Sequence, residues 1–130
     1  MDVKTIIQMK VLIIDDDNRN IFALKTALKS RGVEAMGCLN PLEGLGLLDR
    51  GIEFDVVLLD MMMPEFDGFQ FLDHILSSSG VSYPPVISVT AKAMKGDRER
   101  CLLAGAGGYV SKPVDIDVLL AEIRSVISKK

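Results

Sequence analysis

Asp60 closes the apolar run Phe54-Asp55-Val56-Val57-Leu58-Leu59-Asp60, and the turn Met61-Met62-Met63-Pro64-Glu65-Phe66-Asp67-Gly68 follows it. A carboxylate in that position is expected at the C-terminal tip of a buried strand, where open α/β sheets carry their chemistry. A second apolar run, Val11-Leu12-Ile13-Ile14, ends the same way in Asp15-Asp16-Asp17, which brings several acidic side chains to one sheet edge. Two carboxylates about 5 Å apart at an effective dielectric of about 20 repel by roughly 3 kcal/mol, and each further acid adds unfavourable pairs. Folding alone does not favour that arrangement. A hard divalent cation relieves it, and Mg²⁺, which takes one or two carboxylates with waters and phosphate oxygens, is the natural candidate. Either turn alone reads as a solvated acidic turn; both together, at matching strand ends, favour a site.

The remaining strand tips add to this. Val86-Ile87-Ser88-Val89 ends in Thr90-Ala91, and Tyr109-Val110-Ser111 ends in Lys112-Pro113. Right-handed crossovers place all these tips on the same edge. Lysine is a point charge suited to a phosphate oxygen, threonine a hydrogen-bond donor, and a proline after lysine allows a cis peptide that aims the amine inward. Taken singly, Lys112 reads as a solvated strand end and Thr90 as a loop cap; it is their convergence with the acids that carries chemistry.

The elements that must position these groups are legible as short apolar runs at residues 10 to 15, 33 to 38, 54 to 60, 85 to 90 and 107 to 111, separated by amphipathic segments. Such β-α repeats predict an α/β fold, a five-stranded parallel sheet with helices on both faces. The first helix is expected to start at Asp17 or Asn18 and to bury Ile21, Leu24 and Leu28. The last carries Ile116, Leu119, Leu120, Ile123 and Ile127 at helical spacing behind an Asp115 cap. Asn40-Pro41 reads as a cap with proline at the first helical position, but Gly44 and Gly46 inside that helix cost about 1 kcal/mol each relative to alanine, which predicts the weakest helix. Ser77 to Gly80 and Tyr83-Pro84-Pro85 mark a loop, and Gly105, Gly107 and Gly108 close the fourth helix.

A chain of 130 residues is one domain's worth, read here as a single domain over residues 1–130 with its core over about 10–128. A net charge of −3, with no basic stretch interleaved with aromatics, argues against direct nucleic-acid binding. Cys38 and Cys101 form no Cys-x-x-Cys and read as small core hydrophobes in a reducing compartment. No apolar run approaches a membrane span and Met1-Asp2-Val3-Lys4 lacks the features of a signal peptide, so no membrane association and a cytoplasmic location are expected.

Over essentially its whole length the chain resembles the receiver domain of two-component response regulators, chemotaxis regulators among them. The resemblance rests on Val11-Leu12-Ile13-Ile14-Asp15-Asp16, Asp60 through Asp67-Gly68, Thr90-Ala91, and Tyr109-Val110-Ser111-Lys112-Pro113, in that order and spacing. It implies a flavodoxin-like (βα)5 sandwich with strand order 2-1-3-4-5, the order known for chemotaxis regulators of this family. It implies that Asp60 is the phosphoacceptor, a carboxylate nucleophile taking a phosphoryl group from a phosphohistidine to form an acyl phosphate. No general base is needed for a carboxylate ionised at neutral pH. Asp16 and Asp60 would ligate Mg²⁺ directly, with Mn²⁺ as a substitute, Asp15 would act mainly through a water, and the Met62 backbone carbonyl would complete the protein ligands. No other cofactor is implied. Phosphoryl transfer through a loose transition state calls for charge neutralisation and in-line placement, supplied by the cation and Lys112.

The resemblance further implies that Thr90 moves inward on phosphorylation while Tyr109 changes rotamer, shifting a two-state equilibrium at the surface of helix 4, strand 5 and helix 5. Met62 and Lys92, two positions after Asp60 and Thr90, lie where the family tunes the acyl phosphate lifetime; apolar Met62 predicts slow hydrolysis. The implied partners are a sensor histidine kinase or histidine phosphotransfer protein as donor and an unnamed downstream protein, the chain being a monomer or a weak phosphorylation-dependent dimer. Apart from handling its own acyl phosphate it would not be an enzyme. The chain stops at Ser128-Lys129-Lys130, so no output domain is expected, and either a stand-alone regulator or an excised receiver fits. Asp17 to Leu24 and Ala93 to Arg100 look like receivers on hybrid kinases, whereas Met1 favours a free-standing chain.

Rivals fare worse. A flavin carrier of the same architecture would seat its cofactor phosphate after the first strand, where Asp15-Asp16-Asp17 repels it. A haloacid dehalogenase-type phosphatase would want an acid two residues after Asp60, where Met62 stands. A degenerate receiver acting only as a binding module would lack a key group, yet Asp15, Asp16, Asp60, Thr90 and Lys112 are all present. His74, the only histidine, reads as a surface or packing residue. Met61, Met62 and Met63 read as turn and core packing, and Gly105 to Gly108 precedes a strand, which is wrong for a dinucleotide motif.

Overall fold

Two of the apolar runs, at 11–14 and 56–59, carry no polar residue, and a third, at 86–90, interrupts its apolar residues only with the small Ser88 and Thr90, the pattern of strands covered on both faces. In the structure, a computed structural model that describes residues 9–63, 67–78, 80, 82–91 and 95–129, these are the inner strands β1 (Lys10–Ile14), β3 (Val56–Asp60) and β4 (Val86–Thr90). The shorter-patterned β2 (Glu34–Cys38) and β5 (Gly108–Ser111) form the edges. The sheet is wholly parallel in the order β2-β1-β3-β4-β5. The helices are α1 (Asn18–Lys29), α2 (Pro41–Asp49), α3 (Gly68–Ser77), α4 (Asp97–Leu103) and α5 (Ile116–Ser128). Among the described residues no helix is long and apolar enough to cross a membrane.

Side chains alternate across each strand, so two cores form. Val11, Ile13, Val56, Leu58 and Ile87 pack with Leu28 of α1 and Leu119 and Ile123 of α5. Leu12, Ile14, Val57 and Leu59 pack with Leu45 of α2, Phe71 and Leu72 of α3 and Cys101 of α4. A one-residue slip of β1 or β3 would exchange these faces, so burial fixes the register. That register sets Ile14 beside Leu59 and Asp60 beside Val89, and thereby the positions of the groups that follow each strand.

Local chemistry sets the helix starts. Asp17 caps α1 through the Arg19 N–H, Asn40 caps α2 through that of Glu43, and Asp115 caps α5 through those of Asp117 and Val118. At α3 the Asp67 carboxylate accepts from the Gln70 N–H while the Gln70 side chain accepts from the Asp67 N–H, a reciprocal capping box. Gly68 follows because a Cβ there would stand 2.8 Å from the Met61 Cα.

The strands are one or two residues shorter than the apolar runs. Asp55, expected in β3, instead accepts from the Lys10 N–H at 2.8 Å and returns its own N–H to the Lys10 carbonyl, closing the entry to the strand. Leu24, Ile116 and Ile127, expected inside, are half-buried because they lie at the rim of their helices' inner stripe, and Val126 is buried in their place. Cys38 and Cys101 are buried free thiols.

Candidate functional site

Parallel strands end at one edge, and there the acids meet. Asp60 is the last residue of β3, Asp15 and Asp16 follow β1, and their carboxylate oxygens lie within 4.8 Å of one another. Asp15 and Asp60 are buried, at 3% and 5% exposure, whereas Asp16 is exposed. Backbone donors orient the two buried groups. The Met62 N–H donates to Asp60 Oδ1 at 3.1 Å, and the Asp17 N–H donates to Asp15 Oδ1 at 2.9 Å.

Lys112 enters from the end of β5 across a Lys112–Pro113 peptide that is cis. Its Nζ donates to Asp15 Oδ2 at 3.2 Å and lies 3.8 Å from Asp60 Oδ2. The Lys112 N–H also bonds the Thr90 carbonyl at 2.8 Å, tying the amine's strand to the last residue of β4. Thr90 is buried. Burial is the leading influence on Asp60 and holds its carboxyl above the usual range; the Met62 N–H and Lys112 pull it back, and Asp15 and Asp16 push it up again. One ammonium therefore does not fully compensate three carboxylates. An all-oxygen donor set with surplus negative charge suits a hard divalent ion such as Mg²⁺.

A model of the response regulator receiver domain matches residues 11–124. The chain belongs to the response regulator receiver domain family. This receiver is 32% identical over 117 residues to the polar-differentiation response regulator DivK of Brucella anthropi, covering 90% of this chain and 94% of that protein. Among solved structures it is similar to the receiver domain of the Francisella response regulator 1452, with 29% identity, a TM-score of 0.82 and coverage of 94% of this chain and 98% of that one. It is also similar to the chemotaxis protein CheY4 of Vibrio cholerae, with 25% identity, a TM-score of 0.80 and coverage of 92% and 98%. Both the flavodoxin-like architecture and the 2-1-3-4-5 order read from the receiver resemblance are found.

The sequence-predicted groups Asp15, Asp16, Asp60 and Lys112 are thus brought together, with Thr90 at the adjoining strand tip. Tyr109 lies apart from them, half-buried on β5, its hydroxyl donating to Asp97 Oδ2 at 2.7 Å. Met61 and Met63 enter the core as expected, but Met62 is 56% exposed, because the turn that aims its N–H at Asp60 leaves the side chain outside. Lys92 and residues 64–66 lie outside the described residues. His74 is exposed, 4.0 Å from Asp49.

Three residues with roles at or near the site were missed in the sequence. Asn20 Nδ2 reaches Asp15 Oδ2 at 3.5 Å from α1. Asp97 accepts the Tyr109 hydroxyl, and Glu122 Oε2 on α5 accepts the Tyr109 N–H at 2.8 Å. Asn20 carried a signal, being one turn beyond the acidic run on a helix capped by Asp17. The other two join elements that only the tertiary fold brings together.

Proposed function

We propose that this receiver accepts a phosphoryl group on Asp60 from a partner's phosphohistidine and relays it as a change of surface. The observation that carries the reading is the approach of Lys112 Nζ to both Asp15 and Asp60 inside one three-carboxylate cluster. Asp60 attacks phosphorus as the nucleophile and the donor's imidazole leaves. Lys112 neutralises charge on the transferred oxygens, and the Met62 N–H on Asp60 Oδ1 fixes the carboxylate so that its other oxygen faces Lys112. Asp15, Asp16, Asp60 and the Met62 carbonyl would hold Mg²⁺. When bound, that ion supplies positive charge at the phosphoryl oxygens.

The donor is a histidine kinase or a histidine phosphotransfer protein. Beside Lys112 runs a groove of about 540 Å³ whose lining includes Ala23, Leu24 and Ala27 of α1 with Pro113 and Ile116. An apolar partner face seated there would bring its histidine over the acids. Thr90 would then bind a phosphoryl oxygen and Tyr109 would change rotamer, altering the α4–β5–α5 surface for a downstream protein. The chain works as one receiver unit in the cytoplasm and turns over only its own acyl phosphate.

Incubation with Mg²⁺ and acetyl phosphate, beside Asp60→Asn, followed by intact mass measurement, tests this. A phosphoryl adduct on the wild type that disappears in the variant and without Mg²⁺ is expected. Failure of the wild type to form one, either from acetyl phosphate or from a phosphorylated histidine phosphotransfer protein, would favour a module that binds without phosphorylation.

A further inference from the structure

Tyr109 is held at two points, and a rotamer change would break only one of them. Its backbone N–H donates to Glu122 of α5, a bond set by the path of β5. Its hydroxyl donates at 2.7 Å to Asp97, the first residue of α4. Asp97 is 7% exposed, and Asp15, Asp60 and Asp97 are the buried acids among the described residues. A buried carboxylate is costly unless a donor faces it, and the tyrosine hydroxyl donates to this one. Burial first, then the bond to Asp97, push the Tyr109 phenol up to about 12, against a small opposing pull from Arg98. The hydroxyl thus remains a donor at physiological pH.

Asp97 is also well placed to respond to the acidic site. Thr90 ends β4 and Asp97 begins α4, so the two lie at opposite ends of one connection. Thr90 pairs with Ser111 and Ser88 with Tyr109 along the β4–β5 ladder, and the Lys112 N–H bonds the Thr90 carbonyl.

We infer that Asp97 is a latch: its carboxylate holds Tyr109 in the rotamer seen here, favours the unphosphorylated conformation, and must release the hydroxyl for the surface to switch. The bias toward the unphosphorylated conformation and the release rest on the phosphoacceptor reading above; the bond that holds the rotamer does not. A ligand selective for the switched state binds more weakly by the fraction of molecules held back. A hydrogen bond to a charged group biases such an equilibrium by about tenfold or more.

Two readouts test it. The chain has two tyrosines and no tryptophan, so in a Tyr83→Phe background tyrosine emission comes from Tyr109 alone, and a carboxylate bonded to the phenol quenches it. Asp97→Ala should raise that emission, and Asp97→Asn, which keeps an acceptor, should change it less. In the presence of Mg²⁺, beryllofluoride should bind about tenfold tighter to Asp97→Ala. Tyr109→Phe should gain similarly, and the double variant no more than either. Unchanged emission, or additive gains across the cycle, overturns the latch. A wild type with quenched emission that binds no beryllofluoride overturns the phosphoacceptor reading and the release together; binding with additive gains overturns the latch alone.

Discussion

Replacing Lys112 by methionine, which keeps the stem and removes the charge, should destabilise the metal-free protein at neutral pH by about 3 to 4 kcal/mol, the lower part of the range usual for stripping one partner from a buried ion pair. The site gives its own measure. At an effective dielectric of about 20, Lys112 attracts Asp15 across 3.2 Å by roughly 5 kcal/mol and Asp60 across 3.8 Å by roughly 4 kcal/mol. The Asp15–Asp60 repulsion, at no more than 4.8 Å, is at least roughly 3.5 kcal/mol, and Asp16, being exposed, adds less through water. Removing the ammonium leaves two buried carboxylates unopposed, but they need not bear the whole Coulomb loss. One can take up a proton, and protonating a carboxylate of ordinary pKa at pH 7 costs about 4 kcal/mol. That value caps the penalty.

The same charge balance sets the pH dependence. Asp60 is already raised in the wild type, chiefly by burial, and loss of Lys112 raises it further. An acid with a higher pKa folded than unfolded binds more protons in the native state, so its cost grows as pH rises above the unfolded value near 4 and vanishes below it. Urea unfolding with a chelator should therefore show a Lys112→Met deficit that is largest at neutral pH, shrinks toward pH 4 and is reduced by saturating Mg²⁺. A deficit below about 1 kcal/mol, or one indifferent to both pH and Mg²⁺, would refute the claim that Lys112 offsets the acidic cluster.

Met62→Asn places a hydrogen-bonding group in the solvent beside Asp60 and should speed loss of the phosphoryl group severalfold; an unchanged rate followed by mass spectrometry would show that an apolar Met62 does not slow hydrolysis. The two glycines of α2 should respond with opposite sign: Gly46→Ala meets nothing and should stabilise by about 1 kcal/mol, whereas Gly44→Ala sets a Cβ 2.5 Å from Ile14 Cδ1 and should destabilise by about 1 to 3 kcal/mol, as denaturant midpoints would show. Burial first, and then the Glu43 carboxylate, push the Cys38 thiol up to about 11, and burial raises Cys101; both should resist thiol reagents until the protein unfolds, and rapid labelling of the native chain would contradict this.

The acidic cluster was legible because each of its members ends an apolar run, and the end of a run is a local property. Burial on both faces fixes where Val11–Ile14 and Val56–Leu59 stop, and parallel topology brings the stops to one edge, so Asp15, Asp16, Asp60 and Lys112 meet without any further information. Helix starts were legible for the same reason, since Asp17, Asn40 and Asp115 cap donors within three residues of themselves. Depth within a helix was less so. Leu24, Ile116 and Ile127 fit the apolar stripe, but how far each is covered depends on the neighbouring helix and strand, which periodicity does not describe.

What escaped the sequence altogether is the pairing of polar groups across elements. Nothing local marks Asp97 as the acceptor for Tyr109 or Glu122 as the acceptor for its N–H, because both bonds exist only once α4 and α5 pack beside β5. The two acids also differ in kind. Glu122 occupies the outward N–H of an edge strand, which would otherwise be open to another chain. Asp97 accepts from a side chain that, on the proposed switch, would have to leave for the surface to change. A bond that only one conformation can make is what couples a local chemical event to a distant surface. On the proposed latch, a cross-element pair of this type would carry the switching information, while the proposed chemistry would lie at the strand tips.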